Sequence, residues 1–105
     1  MSDARPEFGI RISYRDATLI PEGHLDVESV RAFLDAAKAL IAAASQPIVV
    51  DLARVGFLDS SGLGALIAAK NVADMKGLEL SLRNMPARIR RLIRMTGLSE
   101  VFPSS

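Results

Sequence analysis

The sequence predicts a small mixed α/β domain, in which helices pack on a β-sheet of about four or five strands. The spacing of apolar residues changes several times along the chain between a period of two, typical of strands, and a period near 3.6, typical of helices. The chain has 105 residues, of which 50% are hydrophobic. That is enough for one packed core and leaves little room for a second. We therefore expect a single domain over residues 1–105, with its structured core at about residues 8–102.

Two strands are predicted at the N-terminal end. Apolar and polar residues alternate over residues 8–15, as expected for a strand with one buried face. Asp16 and Ala17 can turn the chain, and residues 18–20 then form a second strand, antiparallel to the first. Because Pro21 lacks a backbone donor, this second strand is expected to lie near an edge of the sheet or to end early.

A helix and a buried strand follow. Asp26 suits the N-cap of the helix, because its carboxylate can accept from the exposed amides of the first turn. Apolar residues recur at helical spacing over residues 30–44, and Pro47 predicts that the helix ends near residues 45–46. Residues 48–50, Ile-Val-Val, are typical of a strand that is covered on both faces.

The rest of the chain predicts two helices and two strands. Residues 60–76 form a helix rich in alanine and leucine, which ends at Gly77. Alternating leucines predict a strand over residues 78–82, and Pro86 can open a third helix at its first position. Residues 101–102 form a short last strand. The predicted order of elements is therefore β-β-α-β-α-β-α-β.

Composition excludes several classes of function. Thirteen lysines and arginines against twelve aspartates and glutamates give a net charge of +1, so a strongly basic surface for nucleic acid is not expected. Cysteine is absent and histidine occurs once, which argues against disulfides, thiol nucleophiles and zinc sites. The longest apolar run, residues 39–44, is far shorter than the roughly 20 residues of a membrane span. We expect a cytoplasmic protein without a metal or cofactor.

The residues around Ser60 do not match an enzyme motif. A Ser-His-Asp hydrolase would have His24 as its only base, and the Gly-x-Ser-x-Gly pattern is absent because Leu58 stands two residues before Ser60. The Gly-Leu-Gly of residues 62–64 lacks the Gly-Lys-Ser/Thr ending of a phosphate-binding loop. No catalytic residue is predicted.

Residues 57–64, Phe-Leu-Asp-Ser-Ser-Gly-Leu-Gly, point most clearly to a function. A buried strand and a short loop bring Asp59 and Ser60 to the start of a helix. The first amides of a helix have no partner within it, so a hydroxyl there can cap the helix and a phosphate there can be bound. Gly62 and Gly64 keep side chains away, so that another protein can approach closely.

This segment resembles the signature of STAS domains in bacterial anti-sigma factor antagonists, also called anti-anti-sigma factors. Residues 23–26, Gly-His-Leu-Asp, are similar to the Gly-x-Leu-Asp before the first helix of that family, where members often carry an acid in place of His24. Residues 95–98, Met-Thr-Gly-Leu, are similar to the turn after its third helix. The resemblance covers about residues 8–102 and implies a STAS fold, which we expect to lack the usual C-terminal helix.

The resemblance implies a switch by phosphorylation at Ser60. In the family, this serine is phosphorylated by an anti-sigma factor that is itself a serine kinase with a histidine-kinase-like ATPase fold. The unphosphorylated antagonist binds that kinase and frees the sigma factor, phosphorylation ends the binding, and a PP2C-type phosphatase restores it. This chain is then a binding protein and a kinase substrate, not an enzyme, and a monomer or weak dimer. The surface implied around the phosphosite comprises Asp26, Asp59, Ser61, Gly62, Leu63 and Gly64.

Other interpretations stay open from the sequence. The chain can be a STAS subunit of a lipid or other ABC transporter complex, docked on its ATPase, or a component of a stress-signalling assembly. Ser60 can be a plain helix cap, and His24 an exposed residue without a role. A basic helix face, which is either solvated or in contact with an acidic partner or lipid headgroup, is formed by Arg88, Arg90, Arg91 and Arg94.

Overall fold

Residues 7–102, the part of the chain that the computed structural model describes, form a five-stranded mixed sheet and three helices. The strands are β1 (Gly9–Ser13), β2 (Thr18–Leu25), β3 (Ile48–Asp51), β4 (Val55–Leu58) and β5 (Leu80–Arg83). The helices are α1 (Val30–Ala43), α2 (Ser60–Met75) and α3 (Ala87–Met95). The observed order is β-β-α-β-β-α-β-α, and the predicted domain limits at residues 1 and 105 lie outside the described residues.

Strand β2 is the centre of the sheet. β1 pairs with one side of it in antiparallel register. On the other side, the first residues of β2 pair in parallel with β3, and its last residues, from Gly23 to Leu25, pair in parallel with β4. β5 extends the sheet beyond β3, also in parallel. The mixed α/β class predicted from the sequence is therefore confirmed.

The prediction that the second strand lies near an edge or ends early is wrong. β2 has neighbours on both sides and continues past Pro21 to Leu25. Its pairing with β3 ends at Leu19, and its pairing with β4 begins at Gly23. Pro21 thus lies between the two parallel ladders, where a residue without a backbone donor is tolerated.

Two further differences concern short strands. The sequence pattern does not predict β4, because exposed Gly56 interrupts a segment of only four residues. The predicted strand at Val101 and Phe102 is wrong, since both residues lie in a turn or bend. Phe102 instead packs its side chain into the core, where it is 4% exposed. Within the described residues, no helix follows α3.

The core lies where α1 and α2 pack on each other and on the sheet. Helix α3 adds Ile89 and Ile93, which are both buried. No helix in residues 7–102 has the length and apolar character needed to cross a bilayer. Fully buried side chains of the core include Leu19, Phe33, Leu40, Val50, Leu66 and Leu82.

Lys76 ties the end of α2 to the end of α1. Its Nζ donates to the carbonyl oxygens of Ile41, Ala42 and Ala44, at 2.7, 2.8 and 2.7 Å. The last carbonyls of a helix lack the usual partners within it, so this ammonium group supplements the C-cap of α1, where the Ala44 amide donates to Ile41.

We expect the Lys76→Met variant to be less stable than the wild type by about 1–2 kcal/mol, because three charged hydrogen bonds are lost. The loss is no larger because Lys76 is exposed to solvent. Urea unfolding followed by circular dichroism measures the change. The matched control is Lys38→Met, which removes the same charge from the exposed face of α1. No hydrogen bond or ion pair joins Lys38 to another described residue. Equal stability of the two variants would show that the Lys76 contacts contribute nothing.

Candidate functional site

The pairing of β2 with β4 brings the two predicted site segments together. The register places Leu25 opposite Leu58 in parallel strands. The next residues, Asp26 and Asp59, therefore leave the same edge of the sheet side by side. Loops beyond the carboxyl ends of parallel strands are a common position for functional sites.

Asp59 caps α2. Its backbone is extended, with φ −107° and ψ −171°, and its Oδ1 accepts a hydrogen bond of 2.9 Å from the amide of Gly62. The interpretation of Ser60 as the helix cap is therefore wrong. Ser60 is the first residue of α2 and is exposed, and its hydroxyl makes no hydrogen bond within residues 7–102. Ser61 is half-buried.

Gly62 allows the first turn of α2 to pack directly on the end of β2. It is buried, and a Cβ added there would overlap the carbonyl oxygen of Leu25. The prediction that Gly62 leaves room for another protein is wrong, because β2 occupies that space. Gly64 does face open space, with no atom within 4 Å of an added Cβ. Leu63 is 7% exposed and supports the helix from inside.

A tight turn holds Asp26 in place. Its Oδ1 accepts from the amide of Glu28 at 3.0 Å, and its own amide donates to Ser29 Oγ at 3.0 Å. Ser29 Oγ in turn donates to the carbonyl of His24 at 2.6 Å. The prediction of Asp26 as the N-cap of α1 is wrong, because α1 begins only at Val30 and Asp26 caps the preceding turn instead.

Ser29 is a site residue that the sequence pattern did not single out. It is 3% exposed and holds both ends of the turn before α1. The available signal is a serine three residues after an aspartate, in front of a helical apolar stripe.

An exposed apolar surface adjoins the two loops. The rings of His24 and Phe57 lie with their centroids 5.4 Å apart, at an angle of 56°. Phe57 is 42% exposed, whereas Leu58 next to it is buried. Val27, in the loop after Asp26, is 72% exposed. His24 is half-buried against Phe57.

The arrangement presents a hydroxyl group on a firmly held helix start. No histidine or lysine hydrogen-bonds Ser60 within the described residues, so nothing there activates it as a nucleophile. No group of acidic and histidine side chains suited to a metal ion occurs in residues 7–102. The Ser60 hydroxyl is accessible. Asp59 lies next to it in sequence, and Asp26 lies at the start of the neighbouring loop.

Comparison with known proteins places these features in a family. A family model described as "Mlab, STAS domain" matches residues 8–103. The chain is 34% identical over 56 residues to an anti-sigma F factor antagonist of Paenibacillus polymyxa, a match that covers 53% of this chain and only 48% of that protein. It is 28% identical over 91 residues to a STAS-domain containing protein of Pseudomonas aeruginosa, covering 87% and 89% of the two chains. It is 29% identical over 79 residues to an anti-sigma-B factor antagonist of Staphylococcus aureus, covering 75% and 73%.

Solved structures show the same fold. An anti-sigma factor antagonist from Mycobacterium paratuberculosis superposes with a TM-score of 0.75 and 26% identity, covering 93% of this chain and 85% of that one. The phosphorylated form of the Bacillus cell fate determinant SpoIIAA gives a TM-score of 0.67 and 22% identity, covering 94% and 91%. A murine anion transporter, Slc26a9, gives 0.64 and 21%, covering 80% of this chain and 14% of the transporter.

Proposed function

Because this chain belongs to the STAS domain family, we propose that it is an anti-sigma factor antagonist that phosphorylation of Ser60 switches off. The unphosphorylated chain binds an anti-sigma factor and so frees a sigma factor. The anti-sigma factor is also the serine kinase, with a histidine-kinase-like ATPase fold. Relatives named as antagonists of anti-sigma factors support the first part of this proposal, and a neighbour solved in its phosphorylated form supports the second.

The observation that carries the proposal is the position of Ser60. It is exposed at the first residue of α2, while Asp59 takes over the capping of the helix. The Ser60 hydroxyl is therefore free for transfer chemistry, and phosphorylation breaks no hydrogen bond of the fold within the described residues. Gly62 fixes the helix start against β2, so the added group stays at one place on the surface.

The transfer takes its phosphoryl group from ATP bound to the kinase. Ser60 Oγ attacks the terminal phosphorus, the Oγ–P bond forms as the bond to the ADP oxygen breaks, and the hydroxyl proton passes to a base of the kinase. A PP2C-type phosphatase reverses the switch by hydrolysis, in which water takes the phosphoryl group and the serine hydroxyl is regenerated. This chain supplies the acceptor and no catalytic group. We propose that it acts in the cytoplasm.

Charge explains how the switch ends binding. A phosphoserine carries about −1.5 to −2 charges at pH 7. Here the new charge lies next to Asp59, on an edge of the sheet that also carries Asp26. A unit charge about 6 Å from another is worth roughly 3 kcal/mol at an effective dielectric constant near 20. A partner surface that fits the unphosphorylated site then loses contact without any refolding of this chain.

We expect a kinase encoded near the gene for this chain to phosphorylate Ser60 when the two proteins are incubated with ATP. Intact-mass spectrometry should show one added phosphoryl group, and peptide fragmentation should place it on Ser60.

Two serine-to-alanine variants form matched controls. Ser60→Ala should accept no phosphate, whereas Ser61→Ala, one residue further along α2, should remain a substrate. Phosphate on any residue other than Ser60, or no transfer at all, contradicts the proposal.

A second candidate function is a STAS subunit that docks on the ATPase of a membrane transporter. Two observations favour it: the matching family model carries the description Mlab, and the fold occurs within an anion transporter. Affinity purification of this chain from its own cells separates the two functions. Recovery of a transporter ATPase without a kinase supports the transporter subunit, and recovery of a kinase supports the antagonist.

A further inference from the structure

A groove of about 310 Å³ lies between β4 and α3. All four residues of β4, Val55–Leu58, line one side of it. Side chains alternate between the two faces of a strand, so a groove lined by four consecutive residues runs along the edge of β4. Within the described residues β4 pairs only with β2, which leaves this edge without a strand neighbour. The groove is therefore open along this unpaired edge of β4.

Two arginines give the opposite wall of the groove a positive charge. Helix α3 carries four arginines and no acidic residue, and two of them, Arg88 and Arg91, line the groove. Neither arginine forms an ion pair with any residue in the described part of the chain. Since like charges on one short helix repel each other, an acidic occupant is favoured electrostatically.

The groove also exposes large apolar side chains of the kinds found in protein interfaces. Met95 at the end of α3 is 77% exposed, and Phe57 on β4 is 42% exposed. Aromatic residues, methionine and arginine are enriched where proteins bind each other. Phe57 lies three residues before Ser60 and contacts His24, so Phe57 links the groove to the neighbouring candidate site.

We propose that this groove docks an acidic segment of the partner kinase. An apolar side chain of that segment packs between Phe57 and Met95, and its carboxylates pair with Arg88 and Arg91. The inference rests on the proposed function and adds a second area of contact between this chain and the kinase. The surface around Ser60 serves as the switch, while the β4–α3 groove supplies charge complementarity that does not depend on the switch.

The test reverses the two groove charges. The Arg88→Glu/Arg91→Glu variant should bind the kinase at least about 30-fold more weakly than the unphosphorylated wild type, as measured by isothermal titration calorimetry. The wild-type affinity should fall as salt rises, and the variant should lose most of that dependence. Met95→Ser should weaken binding about five-fold or more, because it removes one of the two large apolar side chains of the contact.

A matched control reverses two exposed arginines on and next to β1, a strand that does not line the groove. Arg11 lies on β1 and Arg15 in the turn after it, and both are exposed. Arg11→Glu/Arg15→Glu makes the same change in net charge and should bind the kinase as the wild type does. Thermal unfolding of each variant checks that the fold is intact.

Several results would overturn the inference. If the groove variant binds the kinase with an affinity within two-fold of the wild type, the groove is not part of the interface, and the proposed function still stands. If the wild type itself fails to bind the kinase, the proposed function falls as well. Sedimentation with vesicles that contain phosphatidylglycerol gives a further outcome. Loss of vesicle binding in the groove variant, with kinase binding unchanged, assigns the groove to a membrane surface instead.

Discussion

Replacing Gly62 by alanine should destabilise the protein by about 3 kcal/mol, because the added methyl group overlaps the carbonyl oxygen of Leu25. The neighbour is backbone within the central strand, so it cannot move aside as a flexible side chain would. Relief requires that α2 shifts away from β2, which also loosens the amide that Asp59 caps. Thermal unfolding followed by circular dichroism should show a midpoint lower by more than about 10 °C.

The same helix offers a matched control for this prediction. Gly64 is exposed and has no atom within 4 Å of an added Cβ. Gly64→Ala should therefore raise stability, by up to about 1 kcal/mol, since alanine is the better helix former. Identical effects of the two substitutions would mean that Gly62 does not serve the close approach of α2 to β2.

The largest functional effect is expected from Ser60→Glu. A permanent negative charge at this exposed position should weaken binding to the cognate kinase about 100-fold, which corresponds to about 2.7 kcal/mol. Stability should change little, because an acid in the first turn of a helix interacts favourably with the helix dipole. Calorimetric titration with the kinase at two salt concentrations measures both the loss and its electrostatic origin.

Ser60→Gln separates charge from size in this experiment. Glutamine has nearly the shape of glutamate without its charge, so we expect most of the affinity to remain. Equally weak binding by the two variants would assign the effect to steric exclusion. Full binding by Ser60→Glu would contradict the switch altogether.

Much of the candidate site follows from local sequence. The stretch from Leu58 to Gly64 places an aspartate, two serines and a glycine at a helix start, because a polar loop there leads into an apolar helical pattern. The predicted helix, with Ser60 at its start and its end at Gly77, agrees with the structure. The residue that caps the helix could not be predicted, since Asp59, Ser60 and Ser61 can each cap a helix and only backbone geometry decides among them.

The two strand segments that the sequence pattern misses are partners of each other. The part of β2 after Ile20 contains Pro21 and Gly23, and β4 contains Gly56, so neither segment has the unbroken alternation that predicts a strand. Their pairing, from Gly23 with Val55 to Leu25 with Leu58, supplies the backbone hydrogen bonds that make both of them strands. Such long-range pairing does not appear in any short window of sequence.

The amino-acid sequence by itself determined the mixed α/β class, the three helices and the segment around Ser60, because periodicity, capping residues and glycines act within a few residues of each other. Only the tertiary structure decided that Gly62 meets β2 instead of a partner, that Asp26 and Asp59 adjoin, and that Phe57 faces solvent beside a basic groove. These features depend on which segments pair across the chain. Their free energy comes from contacts between residues far apart in sequence, so no local pattern encodes them.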